Sequence, residues 1–118
     1  SKQQAIEAIA AANEQTPEGS RYKAVFEQKY KQLFEECVRT HGDLPAKFET
    51  LTSVGANGSV EDMKVYYFGA TAMCLYEKLH TFQEKKEMPF PPPPHGPFWI
   101  RLDVDGTQFA ADVAKQPL

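Results

Sequence analysis

Apolar residues recur along this chain at two spacings, and the change of spacing marks out the elements. Tyr22, Val25, Phe26, Tyr30, Leu33, Phe34, Cys37 and Val38 follow i, i+3, i+4, i+7 steps. Lys23, Glu27, Lys31, Glu35, Glu36 and Arg39 fill the opposite side. Thr16 is placed as an N-cap with Pro17 in the first helical position, and Gly42 supplies a stop. The spacing therefore predicts a long helix over 17–41. A weaker stripe of Ala5, Ile6, Ile9 and Ala12/Asn13 predicts an N-terminal helix within 1–15.

From Lys47 the period becomes two. Phe48, Thr50, Thr52 and Val54 alternate with Glu49, Leu51 and Ser53, which predicts a strand over 47–54. Gly55-Ala56-Asn57-Gly58-Ser59 reads as a hairpin loop, because Asn-Gly accepts positive φ. The return strand is expected over 60–68, with Met63, Val65 and Tyr67 alternating with Asp62, Lys64 and Tyr66. A third helix is expected over about 72–83, striped by Ala72, Leu75, Leu79 and Phe82 with Cys74 at its border. The prolines between Met88 and Pro97 force an extended connection, since proline has no N–H to donate. In the last strand, 98–105, Phe98, Ile100, Leu102 and Val104 alternate with Trp99, Arg101, Asp103 and Asp105. The tail, 107–118, is read as a short helix through Phe109 and Val113. The expected fold class is α+β. Two helices precede a β-β-α-β core over 46–105 that forms a three-stranded antiparallel sheet, all in one domain over 1–118.

The chain has 118 residues, 42% of them hydrophobic and eight of them Phe, enough for one core. A net charge of −3 leaves no basic surplus for a phosphate backbone, so nucleic acid is not an expected partner. No apolar run approaches the ~20 residues of a membrane-spanning helix.

Cys37 and Cys74 lie on the apolar sides of two predicted helices with the hairpin between them in sequence. That arrangement suggests one disulfide tying the helices across a small sheet, and with it an oxidising compartment; two buried thiols are the alternative. The start, Ser1-Lys2-Gln3-Gln4, carries neither an initiator Met nor a signal peptide. A processed secretory protein starts this way, and so does a trimmed chain; the expected location is periplasmic or secreted.

Motifs for chemistry are sparse. His41, His80 and His95 have no second ligand at metal spacing. Asp103-Val104-Asp105-Gly106 is similar to the start of a calcium loop, but its Gly is misplaced and no Glu closes it. The sequence holds no nucleophile elbow, phosphate loop or zinc-protease motif. No catalytic, cofactor or metal-binding residue is assigned, and the chain is not expected to be an enzyme. Other features suit protein contacts. Trp99 and Arg101 are of the anchor type, on a strand face that is either open or covered by the N-terminal helix. Tyr66 belongs to the aromatic cluster by the sheet, and Pro92 and Pro93 lie in the polyproline run, a ligand for aromatic grooves or a rigid connector. A three-stranded sheet also has two edges open to strand addition or to dimerisation.

Glu36-Cys37-Val38, Phe48 to Val54, Gly58-Ser59-Val60, Cys74-Leu75, Phe90-Pro91-Pro92-Pro93 and Phe98 to Val104 together carry a likeness. Over roughly residues 30 to 105 the chain resembles the C-terminal domain of TonB-like energy transducers. The nearer likeness is to cysteine-bearing relatives in gliding-motility proteins and small exported proteins of proteobacteria. The resemblance implies a periplasmic β-β-α-β domain that binds other proteins, and it implies that Cys37 and Cys74 pair. The expected function is an exported protein-binding module, monomeric or dimeric through a sheet edge. An exported inhibitor or immunity protein that neutralises a toxin or hydrolase is the alternative.

Overall fold

Ser1 starts the first helix with a capping box: its hydroxyl accepts from the Gln4 N–H, and its amine donates to Gln4 Oε1 at 3.0 Å. In the computed structural model, which describes residues 1–117, this helix is α1 (Lys2–Gln15). Leu118, the end of the predicted tail, lies outside the described residues. Thr16 then caps α2 (Pro17–His41), accepting from the Gly19 N–H at 2.9 Å, and Gly42 ends that helix at φ 72°. The strands are β1 (Lys47–Val54), β2 (Val60–Val65) and β3 (Phe98–Asp105), with α3 (Ala70–Lys85) between β2 and β3 and α4 (Gly106–Ala114) after β3.

The fold is α+β, with four helices and a three-stranded antiparallel sheet in the order β2-β1-β3. Phe48, Leu102, Ile100 and Val104 turn one face of the sheet toward α2, α3 and α4. Phe26, Phe34, Leu75, Leu79, Phe109 and Val113 fill that layer. Aromatic rings run through it: Phe34 lies 5.8 Å from Tyr30, 5.7 Å from Phe109 and 6.3 Å from Phe48 between centroids. Burial is the main cause that drives the Tyr30 hydroxyl far above its ordinary pKa, with Tyr67 and Tyr76 adding to it and Thr50 opposing it, and the buried hydroxyls of Tyr30, Thr50 and Thr52 have no full hydrogen bond among the described residues.

Cys37 and Cys74 form a disulfide, with Cα atoms 5.7 Å apart. The bridge does not cross the sheet. It joins neighbours, because α2 and α3 lie side by side on the same face, and the Lys78–Glu36 ion pair at 2.7 Å spans the same gap. The amphipathic stripes of both helices face one core, so their borders meet.

Some boundaries differ from the periodicity. β2 ends at Val65 rather than Phe68, because Tyr67 folds back onto Phe48, with ring centroids 4.7 Å apart. α3 begins at Ala70, earlier than expected. In α1 the buried stripe is Ile6 and Ala10, and Ile9 is exposed, as is Val25 in α2. The Met88–Pro97 connection is held at the hairpin: Gly58, at φ 93°, packs so closely on the Phe90 carbonyl that a Cβ would collide with it.

Candidate functional site

The second face of the sheet carries the alternate residues of each strand. Leu51 stands between Lys64 and Arg101, and Ser53 between Asp62 and Trp99. Glu49 stands opposite Asp103 and accepts at its carbonyl from the Tyr66 N–H at 3.0 Å. Tyr66, Trp99 and Arg101 therefore share this face. Of the two expectations for it, the covered one holds at Trp99. α1 crosses β3 there, packing Ile6 and Ala10 on Leu51 and Trp99, and Asn13 Nδ2 donates to the Trp99 carbonyl at 3.2 Å. Trp99 is half-buried in consequence.

Beyond α1 the face is open. A concavity of about 540 Å³ is lined by Lys47, Glu49, Arg101, Asp103 and Asp105. Arg101 Nε lies 3.4 Å from Glu49 Oε1, and its Nη2 donates to Asp103 Oδ1 at 3.3 Å. Glu7 of α1 meets Glu49 at the rim. Burial pushes the Glu49 carboxyl above the usual carboxylate range, and its hydrogen bond with Glu7 pushes it further, against the pull of Arg101. Glu7 moves the other way, chiefly because Gln3 Nε2 donates to it at 3.0 Å.

Both sheet edges are partly shut. On β2 the Val65 N–H donates to Tyr76 Oη at 2.8 Å, and Gln83 Nε2 donates to the Val60 carbonyl at 2.7 Å. Those α3 side chains use groups that an added strand would need. At the end of β3 the Gly106 N–H donates to the Ala46 carbonyl at 2.9 Å and continues the β1 register, so Trp99, Arg101 and Asp103 turn their backbone groups outward. The corner between α1 and α2 closes the Trp99 end of that edge through Asn13. Arg101 and Asp103 remain as its open part.

Pro92 and Pro93 do not join this face. The proline run lies along α2 beside Glu18, Arg21 and Val25, where Tyr22 Oη donates to the Pro91 carbonyl at 2.7 Å. Phe90 packs on Phe26 with centroids 4.5 Å apart, Pro93 is buried and Pro92 is exposed. The run is anchored as a connector.

The residue that periodicity did not single out is Phe68. It is fully exposed, and half-exposed Tyr66 and Met73 flank it in sequence. Its turn is held at both sides. Tyr67 is fixed on Phe48, while the Asp43 carboxylate accepts from the Thr71 N–H at 2.8 Å and from the Thr71 hydroxyl. Thr71 Oγ1 in turn accepts from the Asp43 N–H at 3.2 Å. These Thr71 bonds hold the Asp43 carboxyl below its usual range. Gly69 packs against Asp43 so closely that no Cβ fits between them. The one sequence signal was the run Tyr66-Tyr67-Phe68 ahead of a glycine: three successive aromatics cannot all face one core, but alternation cannot say which one leaves it.

The histidines do not converge. His80 Nε2 lies 3.1 Å from Glu84 one helical turn away, and His95 packs on Phe98 with centroids 5.1 Å apart. Asp105 accepts from the Gln108 N–H at 3.0 Å, so the Asp103–Gly106 segment ends a strand and caps α4. Among the described residues no group of three His, Cys, Asp or Glu is arranged to hold a metal, and no helix is long and apolar enough to cross a membrane. Protein-family models, curated proteins and solved structures were compared with the chain, and none matches. The class these features define is a small disulfide-linked α+β domain.

Proposed function

We propose that this chain is an exported protein-binding module of TonB-C-like fold, without a catalytic activity of its own, and that Phe68 is its principal anchor. The observation that carries this reading is a fully exposed phenylalanine on a clamped turn. Exposing a large aromatic side chain gains the free domain nothing, whereas burying one in a partner contributes roughly 1.5–3 kcal/mol. Pre-ordering of the turn by Asp43, Thr71 and Tyr67 lowers the entropy lost on association. Tyr66 and the Arg101 concavity supply further contacts of the types that dominate interfaces. The disulfide fits an oxidising compartment, in keeping with export.

Phe68→Ala is expected to leave stability within about 0.5 kcal/mol of the parent, since the side chain buries nothing. The same substitution should abolish partner capture. A photo-crosslinking side chain at position 68 should trap one protein from a periplasmic extract, in competition with the unlabelled parent. A crosslinker at the exposed Lys31 should not trap it. Unchanged capture by the Phe68→Ala protein would remove Phe68 from the site.

The alternative, an inhibitor or immunity protein, is favoured by the same projecting turn, because a rigid protruding side chain also suits insertion into a cleft. It predicts that the trapped protein is a toxin or hydrolase whose activity falls on binding.

A further inference from the structure

We infer that the proline run is itself a recognition element. Pro92 and Pro94, set against Arg21 and Val25 of α2, form a ridge and hollow that receive an aromatic side chain from a protein partner whose contact surface is rimmed by acidic residues. This site is separate from the Phe68 turn. Asp43, which clamps that turn, follows the C-terminal end of α2, and from Val25 to His41 the helix runs for roughly 25 Å.

Covalent geometry shapes the ridge. The rings of Pro91 to Pro94 hold φ near about −65°, and each residue from Phe90 to Pro93 precedes a proline, which keeps it out of the helical region. Those restrictions leave a polyproline helix, in which every third residue shares a side. Burial repeats with that period. Phe90 and Pro93 are buried, while Pro91, Pro92 and Pro94 are exposed. The inward side is fastened: Phe90 packs on Phe26, its N–H donates to the Gly58 carbonyl at 3.4 Å, and Tyr22 Oη donates to the Pro91 carbonyl. Anchoring the run as a connector therefore also fixes which of its sides face out.

The hollow beside the ridge selects its occupant. A concavity of about 410 Å³ lies between Pro92–Pro94 and the Glu18, Arg21, Tyr22 and Val25 side of α2. Val25 is half-exposed there, left out of the core that its stripe was expected to join. Proline and valine give a flat ring apolar walls, and a guanidinium stacks on aromatic faces. The ridge is ordered before it docks, so little conformational entropy is lost on association. Charge sets the rim. Arg21 is exposed and has no ion-pair partner among the described residues, and Lys29, one turn beyond Val25, is likewise exposed and unpaired. Glu18 is the acid on this wall. Carboxylates beside the incoming ring therefore meet two free cations.

A peptide carrying only that chemistry tests the site without the natural partner. Acetyl-Glu-Trp-Glu-amide is titrated, at millimolar concentration, into the intact oxidised protein labelled for nuclear magnetic resonance. Saturable amide shifts are expected at Arg21, Ala24 and Val25, with the Pro92 and Pro94 carbon resonances moving in parallel and Phe68 unmoved. Acetyl-Glu-Ala-Glu-amide, which lacks the ring, should leave these signals in place.

Two variants at exposed positions complete the test. Arg21→Glu should weaken the tryptophan peptide at least about threefold and remove the salt dependence of its binding. A Pro92→Ala/Pro94→Ala double variant should lose the Val25 shift, whereas Phe68→Ala should keep it, so failure here and failure at the Phe68 turn read out separately. Absence of localised shifts in the parent protein, or equal shifts from the alanine peptide, would overturn the inference. So would undiminished binding in either the Arg21 or the proline variant, or shifts centred on Phe68.

Discussion

Replacing Phe34 by alanine is expected to cost about 3–5 kcal/mol of folding stability. Phe34 is completely buried in α2 and stands among Tyr30, Phe48 and Phe109, linking the helix layer to β1 and to α4. Truncation removes the transfer free energy of a phenyl ring and leaves a cavity walled by rigid rings that cannot collapse into it. The loss is a large part of the roughly 5–15 kcal/mol that a domain has in total. Phe34→Leu, which keeps most of the volume, should cost much less, below about 1.5 kcal/mol. Guanidinium unfolding followed by far-UV dichroism measures both. A loss under about 1 kcal/mol for the alanine variant would show that Phe34 is not central to the core.

Reduction of the Cys37–Cys74 bridge is expected to cost about 4 kcal/mol on the chain-entropy account, for a sequence separation of 37 residues. The constraint acts mainly on the unfolded chain, so the native spectrum should survive reduction while the unfolding midpoint falls. Comparing oxidised and reduced protein in guanidinium gives the number, and a Cys37→Ala/Cys74→Ala double variant checks it without reductant. Alkylation of the unfolded, unreduced protein should add no mass; two added labels would disprove the pairing. Combining reduction with Phe34→Ala should leave the chain largely unfolded. The two changes will not add simply, because Cys37 lies one turn from Phe34 on the same stripe of α2.

These two large effects and the surface effect at Phe68 sit on different kinds of residue. Phe34, Cys37 and Leu75 were legible as core because they lie on stripes that recur every three or four positions. The strand over Lys47–Val54 was legible because Phe48, Thr50, Thr52 and Val54 alternate with the rest. The N-cap at Thr16 and the stop at Gly42 announced themselves by residue type. By contrast, Ile9 and Val25 fit their stripes and are nevertheless exposed. A stripe gives the direction of burial only to within the width of the surface that meets it.

The candidate site was legible in part. Alternation placed Trp99 and Arg101 on one face and left open whether that face was covered. The answer depends on where α1 lies, and a weak stripe of Ile6 and Ala10 names no surface to receive it. The shielding of the β2 edge by Tyr76 and Gln83 joins residues 11 and 23 positions apart, which local pattern does not register. Phe68 was hidden for the opposite reason. Its exposure is a lack of neighbours, created when Tyr67 turns onto Phe48 and Asp43 seizes Thr71 across the loop.

By itself, then, the sequence determined the local elements, the α+β class and the apolar layer of the core. Periodicity, caps and turn residues act within a few positions along the chain, and their physics needs no distant partner. Only the tertiary structure decided which face α1 covers, that the disulfide joins helices on the same side, which edges are shut and which aromatic side chain projects. Each of these is settled by contacts between segments far apart in sequence, where the geometry of packing, rather than the preference of any one residue, selects the outcome.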